Sequence, residues 1–280
     1  MRVDRQWVHK WWNRWIHGGK TWSALSDRSC RPRRIHTKRH AWRMRILQMR
    51  KQHPFGALKL KHVGQIPLSH TTINRILHET SQAEKRPRKQ RRFKRFQRPY
   101  SNYLWQLDTC QVATRDDGWV YVQTLLDDHS RFILASHALA YPPTQSDSIR
   151  LVGRAMRMWG APLQGLTDNG QEFHSIQRDE PGLFTRFLWR HGVQHIRGRP
   201  NHPRTQGKIE RWHRSLKHEW LAYRSKPVDR DELQRLLFGW LEFYNTRRPH
   251  SALALRTPVE VHLESLILTG RLDPAVNEVC

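Results

Sequence analysis

Three carboxylates stand in three different settings of a strongly cationic chain. Asp108 lies in Leu104-Trp105-Gln106-Leu107-Asp108-Thr109, Asp168 opens Asp168-Asn169-Gly170-Gln171-Glu172-Phe173, and Glu210 sits in Gly207-Lys208-Ile209-Glu210-Arg211. Around them the chain carries 50 Lys and Arg against 24 Asp and Glu, a formal net charge of +26. Breaking a phosphodiester builds negative charge on the reacting phosphate. Two divalent ions about 3.5–4 Å apart can activate the attacking oxygen and stabilise the leaving one. Hard carboxylate oxygens suit Mg²⁺ or Mn²⁺. Acidic residues that hold metal, inside a protein charged to hold a polyanion, fit an enzyme that breaks or joins phosphodiester bonds. On this reading Asp108, Asp168 and Glu210 are the catalytic residues and the ligands of two Mg²⁺ (or Mn²⁺) ions, with Asp108 as the bridge.

Each residue alone has a plainer explanation. Asp108, between apolar neighbours, would serve in a structural ion pair. Asp168 would be turn chemistry, because Asp-Asn-Gly is a common turn sequence. Glu210 would pair with Arg214 at i+4 on a helix surface. The case rests on the three together. Arg214 and Lys217 fall four and seven residues after Glu210, along the same helical face, where they could hold phosphates. Lys208, just before Glu210, is read as a further contact to the DNA backbone.

The rest of the chain must position these groups. At 280 residues it is long enough for two or three domains and a sizeable core. The basic residues run through several segments rather than along one amphipathic helix, which favours nucleic acid over a membrane surface. No apolar run approaches the roughly 20 residues of a membrane span, and a cytoplasmic protein with no membrane contact is expected. Cys30, Cys110 and Cys280 make neither a disulfide framework nor a zinc pattern. His36/His40 and His191/His195 have the spacing of helical pairs but lack partner ligands.

Residues 1–20 and 37–52 read as helices, a short helix covers about 56–64, and Ser69 caps a helix over 69–79. This last stretch reads as the recognition helix of a helix-turn-helix, with Thr72 and Arg75 facing DNA. A plain helical bundle is the alternative. Arg88, Lys89, Arg91 and Arg92 belong to the densest basic run and are assigned to DNA phosphates. From 103 the texture becomes β-rich: strands at Tyr103–Thr109, Trp119–Asp127 and Arg131–His137, with Asp116-Asp117-Gly118 as a hairpin turn. A helix over Thr144–Trp159, a strand at Gly165–Thr167, a helix over Leu183–His191, a strand at Val193–Ile196 and helices over Thr205–Tyr223 and Asp229–Tyr244 follow. Strands mixed with helices in this order predict a mixed α/β sheet.

At these residues the chain resembles the insertion-sequence transposases whose catalytic core is of the retroviral-integrase, DDE type. The resemblance is carried by Trp105-Gln106-Leu107-Asp108, Leu126-Asp127-Asp128-His129-Ser130-Arg131, Thr167-Asp168-Asn169-Gly170-Gln171-Glu172-Phe173, Thr205-Gln206-Gly207-Lys208-Ile209-Glu210-Arg211 and Tyr244-Asn245-Thr246-Arg247-Arg248-Pro249-His250. It implies an RNase H-like mixed-sheet core at 99–225. A partial helical segment at 1–26, a helix-turn-helix domain at 27–84 and a basic linker at 85–98 precede the core, and a C-terminal helical extension at 226–280 follows it. It implies cleavage at transposon ends by water and transfer of the freed 3′-hydroxyl to target DNA, by a homo-oligomer on double-stranded DNA. A catalytically silent, repressor-like DNA-binding protein derived from a transposase is the alternative. Two features depart from the family. Asp168 and Glu210 are separated by more positions than is common, and a single helix precedes the Asp27-Arg28 linker, which implies either impaired end recognition or a true start that lies upstream.

Overall fold

The Trp-rich stretch at the start of the chain forms helix α1 (Arg5–His17). Asp4 caps it by accepting the Gln6 N–H at 3.1 Å. Arg14 and His17 occupy its last turn, where the helix dipole favours cations. The computed structural model describes residues 4–26, 37–80, 97–173, 181–198 and 207–272. The chain divides into two compact units, Met1–Trp42 and Arg43–Cys280. Within the first, Trp15 packs edge-on against Trp22 at 5.6 Å, and the Arg14 guanidinium lies 4.6 Å from the Trp11 ring. Gly18 must be glycine, because a Cβ there would collide with the side chain of Ala24.

The division falls inside helix α2 (Thr37–Gln52). In the second unit, the later part of α2 precedes α3 (Ala57–Val63) and α4 (His70–Glu79), and Ile46, Phe55, Leu60, Ile66, Ile73 and Ile76 from this region are all buried. Ser69 caps α4 as its sequence predicts, accepting the Thr72 N–H at 3.1 Å. His53 and Phe55 stack on Phe243, further along the same unit, at 5.3 and 5.9 Å.

The β-rich region builds β1 (Leu104–Ala113), β2 (Trp119–Asp127), β3 (Ile133–Leu139), α5 (Gln145–Trp159), β4 (Gln164–Thr167), α6 (Leu183–Arg190) and β5 (Gln194–Arg197). The sheet order is β3-β2-β1-β4-β5. The first three strands pair antiparallel, while β4 and β5 run parallel to β1. β1 extends beyond the predicted end at Thr109, because its pairing with β2 continues to Ala113 opposite Trp119. The hairpin closes with the Thr114 N–H on the Gly118 carbonyl at 2.6 Å, and Gly118 takes the positive φ of +70° that the turn requires. β3 starts later than predicted, because Arg131 sits at φ +64° in a tight turn after β2.

Alternation along the strands separates two cores. Trp105, Leu107 and Leu125 face α5 and α6, meeting Leu151, Val152, Phe184 and Leu188. Val112, Val120, Val122 and Leu126 face the other way, onto Ile209 and Trp212 of α7 (Gly207–Ser215) and Leu233, Leu237 and Trp240 of α8 (Arg230–Thr246). The single long helix expected over 205–223 is instead α7, a widened π turn over Leu216–Trp220 and a 3₁₀ turn over Leu221–Tyr223. In the widened turn Glu219 forms a bidentate pair with Arg248, at 2.6 and 2.7 Å. α9 (Pro258–Leu268) closes the described chain, with His262 stacked on Phe132 at 4.6 Å. Among the described residues no helix is long and apolar enough to cross a membrane.

Candidate active site

Asp108 lies within β1, the central strand of five. In the parallel pair, Gln106 stands opposite Leu166. Continuing that register by two residues places Asp108 alongside Asp168, just past the end of β4. The carboxylate just past the end of β4 therefore stands beside one carried within β1. The Asp108 Oδ1 accepts the Thr109 N–H at 2.9 Å. Its Oδ2 lies 3.4 Å from Nδ1 of His213 on α7. Burial works to lower the His213 pKa, but hydrogen bonds with Asp108 and Cys110 outweigh it and raise it to about 9. The ring facing Asp108 is thus a cation at neutral pH.

The Asp168 Oδ1 accepts the Gly170 N–H at 2.9 Å, which holds the Asp-Asn-Gly turn. Gly170 also permits a close approach, since a Cβ there would stand against both the Asp168 and Glu172 carboxylates. Glu172 accepts the Thr109 hydroxyl at 3.2 Å. Burial raises its pKa first, and the charges of Asp168 and Asp108 raise it further. Hydrogen bonds from its own backbone and from Thr109 offset only part of this. Glu172 thus lies close enough to Asp168 and Asp108 to feel both charges, while His213 faces Asp108 from α7.

Glu210 is exposed on α7, one turn before His213. Asp108 and Asp168 stand on adjacent strands, and Glu210 stands on α7. Among the described residues no three His, Cys, Asp or Glu side chains are clustered so as to hold an ion. Arg214 and Lys217 are both exposed, as a phosphate-binding role requires. Lys208, expected at the DNA backbone, is paired with an acidic residue of its own chain. Its ammonium lies 2.5 Å from the Asp128 carboxylate, and the two side chains are 16% and 0% exposed. Burial and then Arg131 lower its pKa to about 8, against the pull of Asp128 and Asp127. Asp128 also accepts the Gln106 side-chain amide at 2.7 Å and the Arg98 N–H at 2.8 Å. The charge of Lys208 is therefore committed to a buried partner.

On α4, Arg75 is exposed, while Thr72 is half-buried with its hydroxyl 2.8 Å from that of Ser69. Arg88, Lys89, Arg91 and Arg92 lie outside the described residues. His191 and His195 form no helical pair. His195 is on β5, held between the hydroxyls of Thr167 and Thr185 at 2.9 and 2.8 Å.

Sequence reasoning passed over Glu172, Thr109 and His213. His213 carried a usable signal, three residues after Glu210 on a helix whose Ile209 and Trp212 must face the sheet. Glu172 carried none, because only the turn at Gly170 folds its carboxylate back toward Asp168.

Comparison with known proteins agrees with this architecture. Residues 98–203 match the family described as Integrase core domain, and residues 191–258 match a second family of the same description. The chain is 32% identical over 150 residues to a putative integrase of Spiroplasma virus SpV1-C74, covering 49% of this chain and 40% of that protein. It is 27% identical over 165 residues to an uncharacterised protein of insertion element IS136 from Agrobacterium fabrum, covering 56% of this chain and 81% of that one. The chain thus spans well under two thirds of the viral relative's length. Among solved structures, a chain of the simian T-cell lymphotropic virus intasome in complex with PP2A regulatory subunit B56 gamma superimposes with a TM-score of 0.50. It is 18% identical and covers 78% of this chain and 74% of that chain. The fold is the mixed-sheet, RNase H-like fold of integrase catalytic cores. Through residues 98–258, more than half its length, this chain belongs to the integrase core domain family, together with insertion-sequence transposases.

Proposed function

We propose that the protein is a DNA transposase that cleaves at the ends of its element with water and joins the freed 3′-hydroxyl to target DNA. The observation that carries this reading is the placement of Asp108, on the central strand, alongside Asp168 at the end of the adjacent parallel strand, with Glu172 near enough to feel both charges, in a chain of net charge +26. The donors are hard carboxylate oxygens, which fits Mg²⁺ or Mn²⁺. Asp108, Asp168 and Glu210 would hold the two ions. Bound metal supplies Lewis-acid polarisation of the phosphate and a more nucleophilic water or hydroxyl.

The chain's own residues do the rest. Thr109 and His213 fix the two oxygens of Asp108, and Gly170 fixes one oxygen of Asp168. Arg214 and Lys217 offer exposed charge to phosphates beside the cleaved bond. Arg75 on α4 reads sequence in the DNA ends. The basic run containing Arg88, Lys89, Arg91 and Arg92 is assigned to the duplex backbone. The working form is a homo-oligomer on double-stranded DNA in the cytoplasm.

The test is a strand-transfer assay with Mg²⁺ and duplexes carrying the ends that flank the gene. Wild-type protein should yield joined products. Asp108→Asn, or removal of metal with a chelator, should reduce them to background while duplex binding persists. Binding without joining by the wild type would sink the transposase reading in favour of a silent DNA-binding protein.

A further inference from the structure

Beside the carboxylates runs an open groove of about 650 Å³, lined among others by Trp119, Tyr121, Pro142, Pro143, Glu172 and Lys217. That volume falls in the range of sites that take small organic ligands. Its aromatic wall follows from register. Gln111 pairs with Tyr121 and Ala113 with Trp119, so Thr109, Gln111, Tyr121 and Trp119 share one sheet face. Further along the same face, Leu107 and Leu125 are buried beneath α5 and α6. Toward the hairpin, Trp119 is left 60% exposed. Trp119 takes no part in the aromatic clusters of the described residues, so packing does not explain it. An indole presented to water beside catalytic carboxylates is costly to keep exposed and well placed to stack.

An aromatic face and an ammonium in one groove match the two halves of a nucleotide: a ring for the base and a cation for its phosphate. Bases inside a duplex are stacked and out of reach, and an enzyme gains access to one only by unpairing it. We propose that this groove receives one unpaired nucleobase of the DNA strand being processed, stacked on Trp119 with Tyr121 beside it, while the adjoining phosphate meets Lys217. The proposal rests on the transposase reading above for the identity of that strand. It assigns Trp119 to substrate binding, a role that nothing in the composition of the hairpin announces.

The test uses the full chain carrying Asp108→Asn, so that no turnover occurs, and DNA ends with a short single-stranded overhang containing 2-aminopurine. Binding should quench the 2-aminopurine fluorescence. Trp119→Ala should relieve the quenching and weaken overhang binding by about tenfold or more, the scale of one lost base–aromatic stack, with blunt-duplex binding unchanged. Trp119→Phe should retain both signals. Because the indole is largely exposed, Trp119→Ala should melt as the parent does, and Tyr121→Leu gives a second, milder loss. Unchanged quenching and overhang affinity in Trp119→Ala would overturn the proposal. Strand joining by the otherwise wild-type chain separates this from the broader reading. Quenching that depends on Trp119 without any joining would keep the base site and sink the transposase. Joining that is undiminished by Trp119→Ala would keep the transposase and sink the base site.

Discussion

Lys208 and Lys217 look alike in sequence, two basic residues flanking Glu210, and the fold gives them opposite surroundings. Lys217 is exposed at the groove, whereas Lys208 is locked onto a fully buried Asp128. Nothing local distinguishes them, because the partner of Lys208 lies 80 residues earlier in the chain. Asp127 and Asp128 were equally illegible. Two acidic residues before Ser130 look like a solvated turn, yet both are 0% exposed. Asp127 is satisfied by the Asn102 and Ser130 backbone N–H groups, each at 2.8 Å. The distinction can be measured. Lys208→Met leaves a buried carboxylate without its cation and should cost about 3–5 kcal/mol in urea unfolding. Adding Asp128→Asn should recover part of that loss. Lys217→Ala should leave stability alone and lower the slope of log affinity against log salt by about 0.9, the signature of one lost phosphate contact. The same slope change from Lys208→Met in folded protein would contradict the burial argument.

Elements were far more legible than contacts. Helical periodicity, with Ser69 read as a cap, located α4, α5 and α8 to within a residue or two, whereas the helix expected over 1–20 overshot α1 at both ends. What sequence could not show is how the later elements lock the sheet. Asn245, at the end of α8, accepts the Ile133 N–H at 2.9 Å and donates to the Ile133 carbonyl at 3.0 Å. Its side-chain amide thus acts as one residue of an extra strand along the outer edge of β3, which would otherwise expose unpaired backbone groups. Three residues on, Arg248 reaches the widened turn after α7 through Glu219. Burial works against ionisation of Glu219, but the Arg248 hydrogen bonds hold its carboxyl below the ordinary range. The segment Tyr244–His250, noticed in sequence only as a pattern, is therefore the clasp between α8, the sheet and the run that carries Glu210. Asn245→Ala strips both bonds from a buried backbone position and should cost about 2 kcal/mol. In a unit of this size that lowers Tm by roughly 4–8 °C, readable by calorimetry. An unchanged Tm would show that the edge of β3 does not depend on this amide.

At the scale of the whole molecule, two histidines give stability a pH dependence of definite sign. Burial, reinforced by Arg154, Arg150 and Arg230 and opposed by Asp147, lowers the pKa of His137 to about 4. Burial and then Arg248, Lys59 and Arg131 lower that of His250 to about 2. Both rings are neutral in the folded protein, while the unfolded chain takes up their protons near pH 6.5. Their contribution is therefore intact above pH 6.5 and falls as the pH drops. The loss from His137 levels off near pH 4, and that from His250 continues toward pH 2. The limiting slope is about 1.4 kcal/mol per pH unit for each ring. Urea titrations at stepped pH check this, with His137→Gln expected to flatten the decline above pH 4; a parallel decline in that variant would remove His137 from the account. A second consequence concerns length. The stack of His53 and Phe55 on Phe243 ties the α2–α4 region to α8, and α8 to the sheet that bears Asp108. If α4 reads the DNA and the sheet cuts it, that aromatic stack holds the reading head and the cutting edge in one unit. The number of base pairs between the recognised sequence and the severed bond is then a dimension of the protein itself, counted in turns of the double helix.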